Sequence, residues 1–321
     1  MDRRGLGQSG VDVSRVVLGC GNFGGIGSDL SAIGKGESDE AAYELMDAAW
    51  ERGINAFDTA SSYGGGASER VIGRWRAERQ PDGLVLTSKA FHRRVPEDDE
   101  GLGPERLRRV VHDSLQLLGA ERIDFYLTHA ADQATPLVET LGALDELRRE
   151  GSIGAVGVSN VDGEYVRQCL ETADAHGYAR IEYVQNEYSL LTRGSEREVL
   201  PLCAEHGIGF AAFSPLAGGW LTGKYRRGAP FPEGSRMTLR PEPYGTFVRD
   251  AVFDAVEALE ERARARGVHV VVLALAWVLS NPNVAAAVIG PRRPEQLDAV
   301  LPALDLRLSE TERDELAGLF P

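Results

Sequence analysis

Sulfur is scarce in this chain. Three cysteines, Cys20, Cys169 and Cys203, stand far apart among 321 residues. They are too few and too scattered for a disulfide framework or a zinc site, so no metal is expected and a reducing, cytoplasmic setting is. Long apolar runs are missing too. None reaches the length that crosses a bilayer, and the opening MDRRGLGQSG lacks the apolar stretch of a signal peptide, so neither membrane insertion nor export is expected. Positive charge is the minority: 35 Lys and Arg against 49 Asp and Glu give a net charge of −14. That balance argues against nucleic acid or an anionic membrane as partner, although cations gathered locally could still hold an anionic cofactor. Aromatic residues make up only 7%, but hydrophobic residues reach 43%, ample for a core.

What is present is an alternation. Short apolar segments recur at Val16–Gly19, Asn55–Phe57, Leu84–Lys89, Ile123–His129, Ala155–Asn160, Tyr183–Asn186, Gly209–Ser214 and Val284–Gly290, with amphipathic helical patterns after them. The eight are apolar throughout rather than alternating, as strands buried on both faces of a parallel sheet are. Eight β–α units in one series, undivided by a Gly/Pro linker, predict a single (β/α)8 TIM barrel over residues 1–321. Gly5, Gly7 and Gly10 predict a small hairpin ahead of it. Two segments break the rhythm: Pro215–Thr246, a long excursion after the seventh strand, and Val248–Leu279, with two helical patterns where one is expected. A further helix over Ser309–Phe320 would be closed by a capping box of Ser309 and Glu312. Ser68 would cap the helix Glu69–Glu78.

In such barrels the chemistry gathers at the C-terminal ends of the strands. Those ends carry Asp58, with Tyr63 in the glycine-rich loop just beyond, then Lys89, then His129. Each alone has an ordinary explanation as a cap, a surface ring, a solvated strand end or a core histidine. At one level of successive units they make sense together as carbonyl reduction. A carbonyl accepting a hydride needs a proton on its oxygen, and a phenol with a pKa of about 10 is a reluctant donor near neutrality. Lys89 would lower that pKa, Asp58 would keep Lys89 charged, and His129 would donate a hydrogen bond to the substrate oxygen. A barrel lyase using Lys89 as a Schiff-base nucleophile leaves Asp58 and Tyr63 unexplained.

The motifs FDTASSYGGGASE, TSKA, YLTHAAD, the run Gly151–Asn160, VQNEYS, FSPLAGGWLTGKY and VIGPRRPEQL occur in this order. Through them nearly the whole chain resembles the aldo-keto reductases. The resemblance implies a nicotinamide cofactor, usually NADPH, no metal, and Asp58, Tyr63, Lys89 and His129 as the family's tetrad. It also implies that Ser159, Asn160 and Gln185 hold the carboxamide, that Phe213 stacks on the nicotinamide, and that Ser214, Leu216, Gly218 and Lys224 clasp the diphosphate. Gly290, Arg292, Arg293 and Gln296 would sit at the adenosine end, the two arginines favouring NADPH over NADH. Ala299 and Val300 stand where the family often has an acid and an asparagine against the adenine. Ala130 and Ala131 follow His129 where many members have tryptophan, which would open the pocket. Phe23, Tyr188 and Trp220 are the expected pocket walls, and segments 28–38 and 226–247 the loops that set specificity.

The expected activity is NADPH-dependent reduction of an aldehyde or ketone, with a small-molecule carbonyl as partner. An NAD(P)-linked sugar or alcohol dehydrogenase and a cofactor-binding regulatory subunit are the alternatives. Oligomeric state is left open.

Overall fold

The computed structural model describes residues 1–321. Strands β1 (Arg3–Gly5) and β2 (Asp12–Ser14) pair antiparallel as the expected hairpin. Eight parallel strands then close a barrel: β3 (Val16–Gly19), β4 (Ala56–Asp58), β5 (Val85–Ala90), β6 (Ile123–Thr128), β7 (Ile153–Ser159), β8 (Ile181–Glu187), β9 (Gly209–Phe213) and β10 (Ala286–Ile289), the last returning to β3. The outer layer starts with α1 (Asp39–Glu51), α2 (Ala67–Arg79), α3 (Pro104–Leu118), α4 (Leu137–Arg149), α5 (Gly163–His176) and α6 (Val199–His206). The excursion after β9 contains one short α-helix, α7 (Arg236–Leu239), between the 3-10 turns Ala217–Thr222 and Tyr244–Phe247. The pair α8 (Asp250–Ala265) and α9 (Val270–Leu279) leads to β10, and α10 (Pro294–Val300) and α11 (Glu310–Ala317) complete the chain. No helix is long and apolar enough to cross a membrane.

The strands are apolar on both sides because both sides are covered. Val17, Ala56, Val85, Phe125, Leu127, Ala155, Tyr183, Ala211 and Val288 fill the barrel interior. The hairpin plugs its lower end. Leu6 and Val13 belong to the same interior cluster, and Gly7 backs so closely onto Gly209 that a methyl on Gly209 would lie 2.6 Å from the Gly7 nitrogen. Side chains two apart on a strand share a face. From the interior residues, that step leads upward from Val85 and Thr87 to Lys89, from Ala56 to Asp58, from Leu127 to His129, and from Tyr183 to Gln185. The same side of each strand that packs the core therefore supplies the polar groups at the open end.

Ser68 does not cap α2. Gly64, Gly65 and Gly66 all have positive φ (57°, 67° and 89°), make the turn themselves, and leave Gly66 at the cap position. Ser68 lies inside the helix, where its Oγ donates to the Cys20 carbonyl (2.9 Å) and pairs with Thr59 Oγ1 (2.8 Å). The capping box at Ser309 and Glu312 forms as expected, although α11 ends at Ala317 rather than Phe320.

Helices α2 and α3 touch backbone to backbone at Gly73, where an added methyl would meet the Leu117 carbonyl oxygen at 2.0 Å. Alanine is the better helix former, but here overpacking governs. Gly73→Ala is expected to lose roughly 1–3 kcal/mol in a denaturant melt. An unchanged or raised midpoint would mean the two helices part without cost.

Candidate active site

The centre of the open end is an ion pair out of reach of water. Lys89 has no exposed surface and Asp58 is 3% exposed. Lys89 Nζ donates to Asp58 Oδ1 at 2.6 Å and to the Thr59 carbonyl at 2.8 Å. Asp58 Oδ2 accepts from Gln185 Nε2 at 2.7 Å, and that nitrogen also lies 2.7 Å from Tyr183 Oη. Burial works against the Lys89 ammonium, but Asp58 first and then Tyr63 outweigh it, so its pKa sits above the ordinary lysine value.

Tyr63 lies above this pair, its ring centroid 5.4 Å from Lys89 Nζ. Burial pushes its phenol above the ordinary tyrosine value, with Lys89 pulling the other way. Lys89 was expected to win that contest; in the structure desolvation wins and the phenol holds its proton at neutral pH. Tyr63 Oη is 3.5 Å from His129 Nε2, and the rings meet edge to face. That distance is long for a hydrogen bond, as catalytic pairs often are before substrate arrives. Burial, aided by Lys89 and His92, holds His129 well below its ordinary value, so the imidazole is neutral. Its backbone is fixed from both sides: the amide donates to the Ala90 carbonyl (2.8 Å) and the carbonyl accepts from Asn160 Nδ2 (2.9 Å).

The expected cofactor residues divide into two groups. Ser159 is buried and Asn160 exposed at the end of β7, with Asn160 at φ 56°, a conformation asparagine tolerates. Gln185 is committed through its nitrogen to Asp58, so it braces the acid as well as facing the mouth. Phe213 closes β9, paired in register with Glu187. The second group lines a cavity of about 370 Å³ beside the four-residue cluster, walled by the segments after β3, β9 and β10. Ser214, Leu216, Gly218, Lys224, Gly290, Arg292 and Gln296 all line it, as do Ala299 and Val300, whereas Arg293 does not and points to solvent. Gly21 and Asn22 connect the two regions. A methyl on Gly21 would touch the Tyr63 ring at 3.5 Å, and Asn22 lines the cavity.

The cavity is cationic in an acidic protein. Lys224 is held below its ordinary value by burial, then by Arg236 and Arg292. Arg236 is likewise lowered by burial and by Arg240 and Arg292, and its one side-chain partner is Asn22 Oδ1 at 3.4 Å. Desolvated cations that repel one another fit a polyanion such as a dinucleotide diphosphate. Arg236, Lys35 and Glu37 line this cavity without having been singled out in the sequence; nor was His92, which lies outside the cavity with its ring centroid 4.9 Å from that of His129. His92 stands three residues past Lys89, a spacing that could have flagged it.

The three expected pocket walls do not line the cavity. Tyr188 has no exposed surface. Its ring packs on Phe210 and Trp277, and its hydroxyl donates to Glu196 at 2.5 Å. Trp220 is 1% exposed, enclosed by Tyr225, Phe231, Phe247 and Phe253, and is the core of the excursion after β9. Phe23 is also 1% exposed, buried beneath the first loop where its backbone bridges to Glu37. All three rings join the main hydrophobic core and fasten their loops to it.

Breaking the central pair from one side should be costly. Lys89→Met leaves a buried carboxylate without its cation and is expected to lose about 3–5 kcal/mol of stability. Adding Asp58→Leu should restore a large part of that loss, read by denaturant melts of the single and double variants. Additive losses would show that the two groups are not coupled.

The profile of the Aldo/keto reductase family matches residues 15–319. Among curated proteins the chain is 32% identical to an uncharacterized oxidoreductase of Bacillus subtilis, YrpG, with 98% of this chain and 95% of the relative covered. It is 31% identical to an NADH-specific methylglyoxal reductase of Escherichia coli, covering 96% and 94%. It is also 31% identical to a probable voltage-gated potassium channel subunit beta of Arabidopsis thaliana, covering 95% and 92%.

Proposed function

Because the chain belongs to the aldo/keto reductase family of oxidoreductases acting on carbonyls with a nicotinamide cofactor, we propose that it reduces a small aldehyde or ketone to the alcohol, using NADPH. The cavity beside Asn22 would receive the diphosphate and adenosine, with Lys224, Arg236 and Arg292 as its cations. Ser159, Asn160, Gln185 and Phe213 would receive the nicotinamide, which supplies the hydride when bound.

The observation that carries the reading is Tyr63 held between Lys89 and a neutral His129 at the open end of the barrel. Tyr63 Oη gives its proton to the substrate oxygen. Lys89, kept charged by Asp58, stabilises the phenolate left behind. Neutral His129 orients the substrate oxygen by a hydrogen bond from Nε2 and, lacking a charge, does not compete as the acid. Ala130 and Ala131, both partly exposed beyond His129, leave room for the substrate on that side.

Tyr63→Phe tests the assignment. Turnover of NADPH with aldehydes and ketones is expected to fall by on the order of 10² to 10⁴. Affinity for NADPH, followed by its fluorescence, should stay within about twofold, since an exchange near the nicotinamide leaves the cation cavity intact. Near-normal turnover would remove Tyr63 as the proton donor, and a parallel loss of binding would make it a cofactor contact instead.

A further inference from the structure

Arg292, the arginine that faces the cavity, is already occupied. Its Nε donates to the carboxylate of Glu37, 255 residues away in sequence, and its Nη1 donates to the Gly234 carbonyl at 2.5 Å. Glu37 is the only acidic residue among those lining the cavity, which include Lys35, Lys224, Arg236 and Arg292. Its carboxylate is also well enclosed, the side chain 14% exposed.

Glu37 is not a loosely placed loop residue. Its amide donates to the Asn22 carbonyl (2.7 Å), and its own carbonyl accepts from Gly24 (3.1 Å). Gly36 before it is wedged so tightly that a methyl would lie 2.2 Å from the Asn22 carbonyl oxygen. Ser38 after it caps α1, accepting from the Ala41 amide. The backbone on both sides is pinned, so the carboxylate is presented to Arg292 from a fixed base. The same first loop meets the excursion after β9 again where Arg236 donates to Asn22 and Arg240 to the Ile26 carbonyl (3.3 Å).

We infer that Glu37 sets the cofactor preference by competing with the 2′-phosphate of NADPH for Arg292. This rests on the reading that a nicotinamide dinucleotide fills the cavity. A carboxylate beside the adenosine ribose accepts hydrogen bonds from free hydroxyls but repels a phosphate, whereas an arginine does the reverse. Here the two are bonded to each other. NADPH must displace Glu37 from Arg292, and the displaced carboxylate stays close because its backbone cannot retreat. NADH asks for no such exchange. The two arginines in sequence favour NADPH over NADH; Glu37, together with the outward turn of Arg293, makes that preference weak.

The test is direct titration of the intact protein with NADPH and with NADH, each followed by cofactor fluorescence, without substrate. The proteins compared are the wild type, Glu37→Gln, Arg292→Ala and the double variant. Glu37→Gln keeps the shape and removes the charge. It is expected to improve the Kd for NADPH relative to that for NADH on the order of tenfold, the scale of one charge-assisted contact. In the Arg292→Ala background the same substitution should leave the ratio unchanged. A wild type that binds neither nucleotide overturns the reading of the cavity and this inference with it. Arg292→Ala weakening NADPH while Glu37→Gln leaves the ratio at its wild-type value overturns the inference alone. Equal gains for both nucleotides do so too, because they would reveal general relief of negative charge rather than competition for one seat.

Discussion

A lysine with no exposed surface organises the open end of this barrel. Its charge is tolerable only because Asp58 lies 2.6 Å away, and the orientation of Asp58 in turn depends on Gln185. Three strands, β4, β5 and β8, are thereby tied by side chains as well as by their ladders. Dehydration gives this arrangement its use: in a low-dielectric pocket a fixed cation acts on a neighbouring phenol more strongly than it would in water. The same dehydration raises the cost of any error, since either partner alone would be a buried, unpaired charge.

Around that rigid centre the chain uses a softer kind of construction. The first loop and the excursion after β9 come from opposite parts of the sequence and meet above the cation cavity. Each is fastened to the main core by a buried ring, Phe23 in one and Trp220 in the other. Their meeting points are polar and few: Asn22 with Arg236, Ile26 with Arg240, and, through Arg292 from the turn after β10, Glu37 with the Gly234 carbonyl. Shared apolar packing keeps the loops in shape, while the polar clasps can exchange partners with an incoming anion. A net charge of −14 therefore coexists with a local basin of positive charge.

The barrel was legible because doubly buried strands must be apolar on both sides, and Asp58, Lys89 and His129 were legible as the polar residues ending such runs. The errors have physical reasons. Ser68 looked like a cap, but three left-handed glycines make the turn before it and leave it inside α2. Tyr188 and Trp220 looked like pocket walls because aromatic residues near a strand end suit that role. Which way a ring points depends on the path of its loop, and both rings turn into packing. The net direction of the Tyr63 shift could not be read from a neighbouring lysine, because the depth of burial that outweighs it is a property of the folded barrel. Arg236, Arg240 and Glu37 were missed since their partners lie more than 200 residues away in sequence. Glu37 did leave a trace, an acid directly before the capping Ser38 at the end of a glycine-rich loop.

The hairpin gives the barrel a stopper as well as a base. With Leu6 and Val13 filling the lower mouth and Gly7 seated on Gly209, the molecule is a cup rather than a tube. Its first residues lie exposed beneath the closed end, on the side away from Tyr63. A surface or fusion partner attached through Met1 would thus hold the cup upright, with the rim where carbonyl and cofactor must enter turned toward the solution.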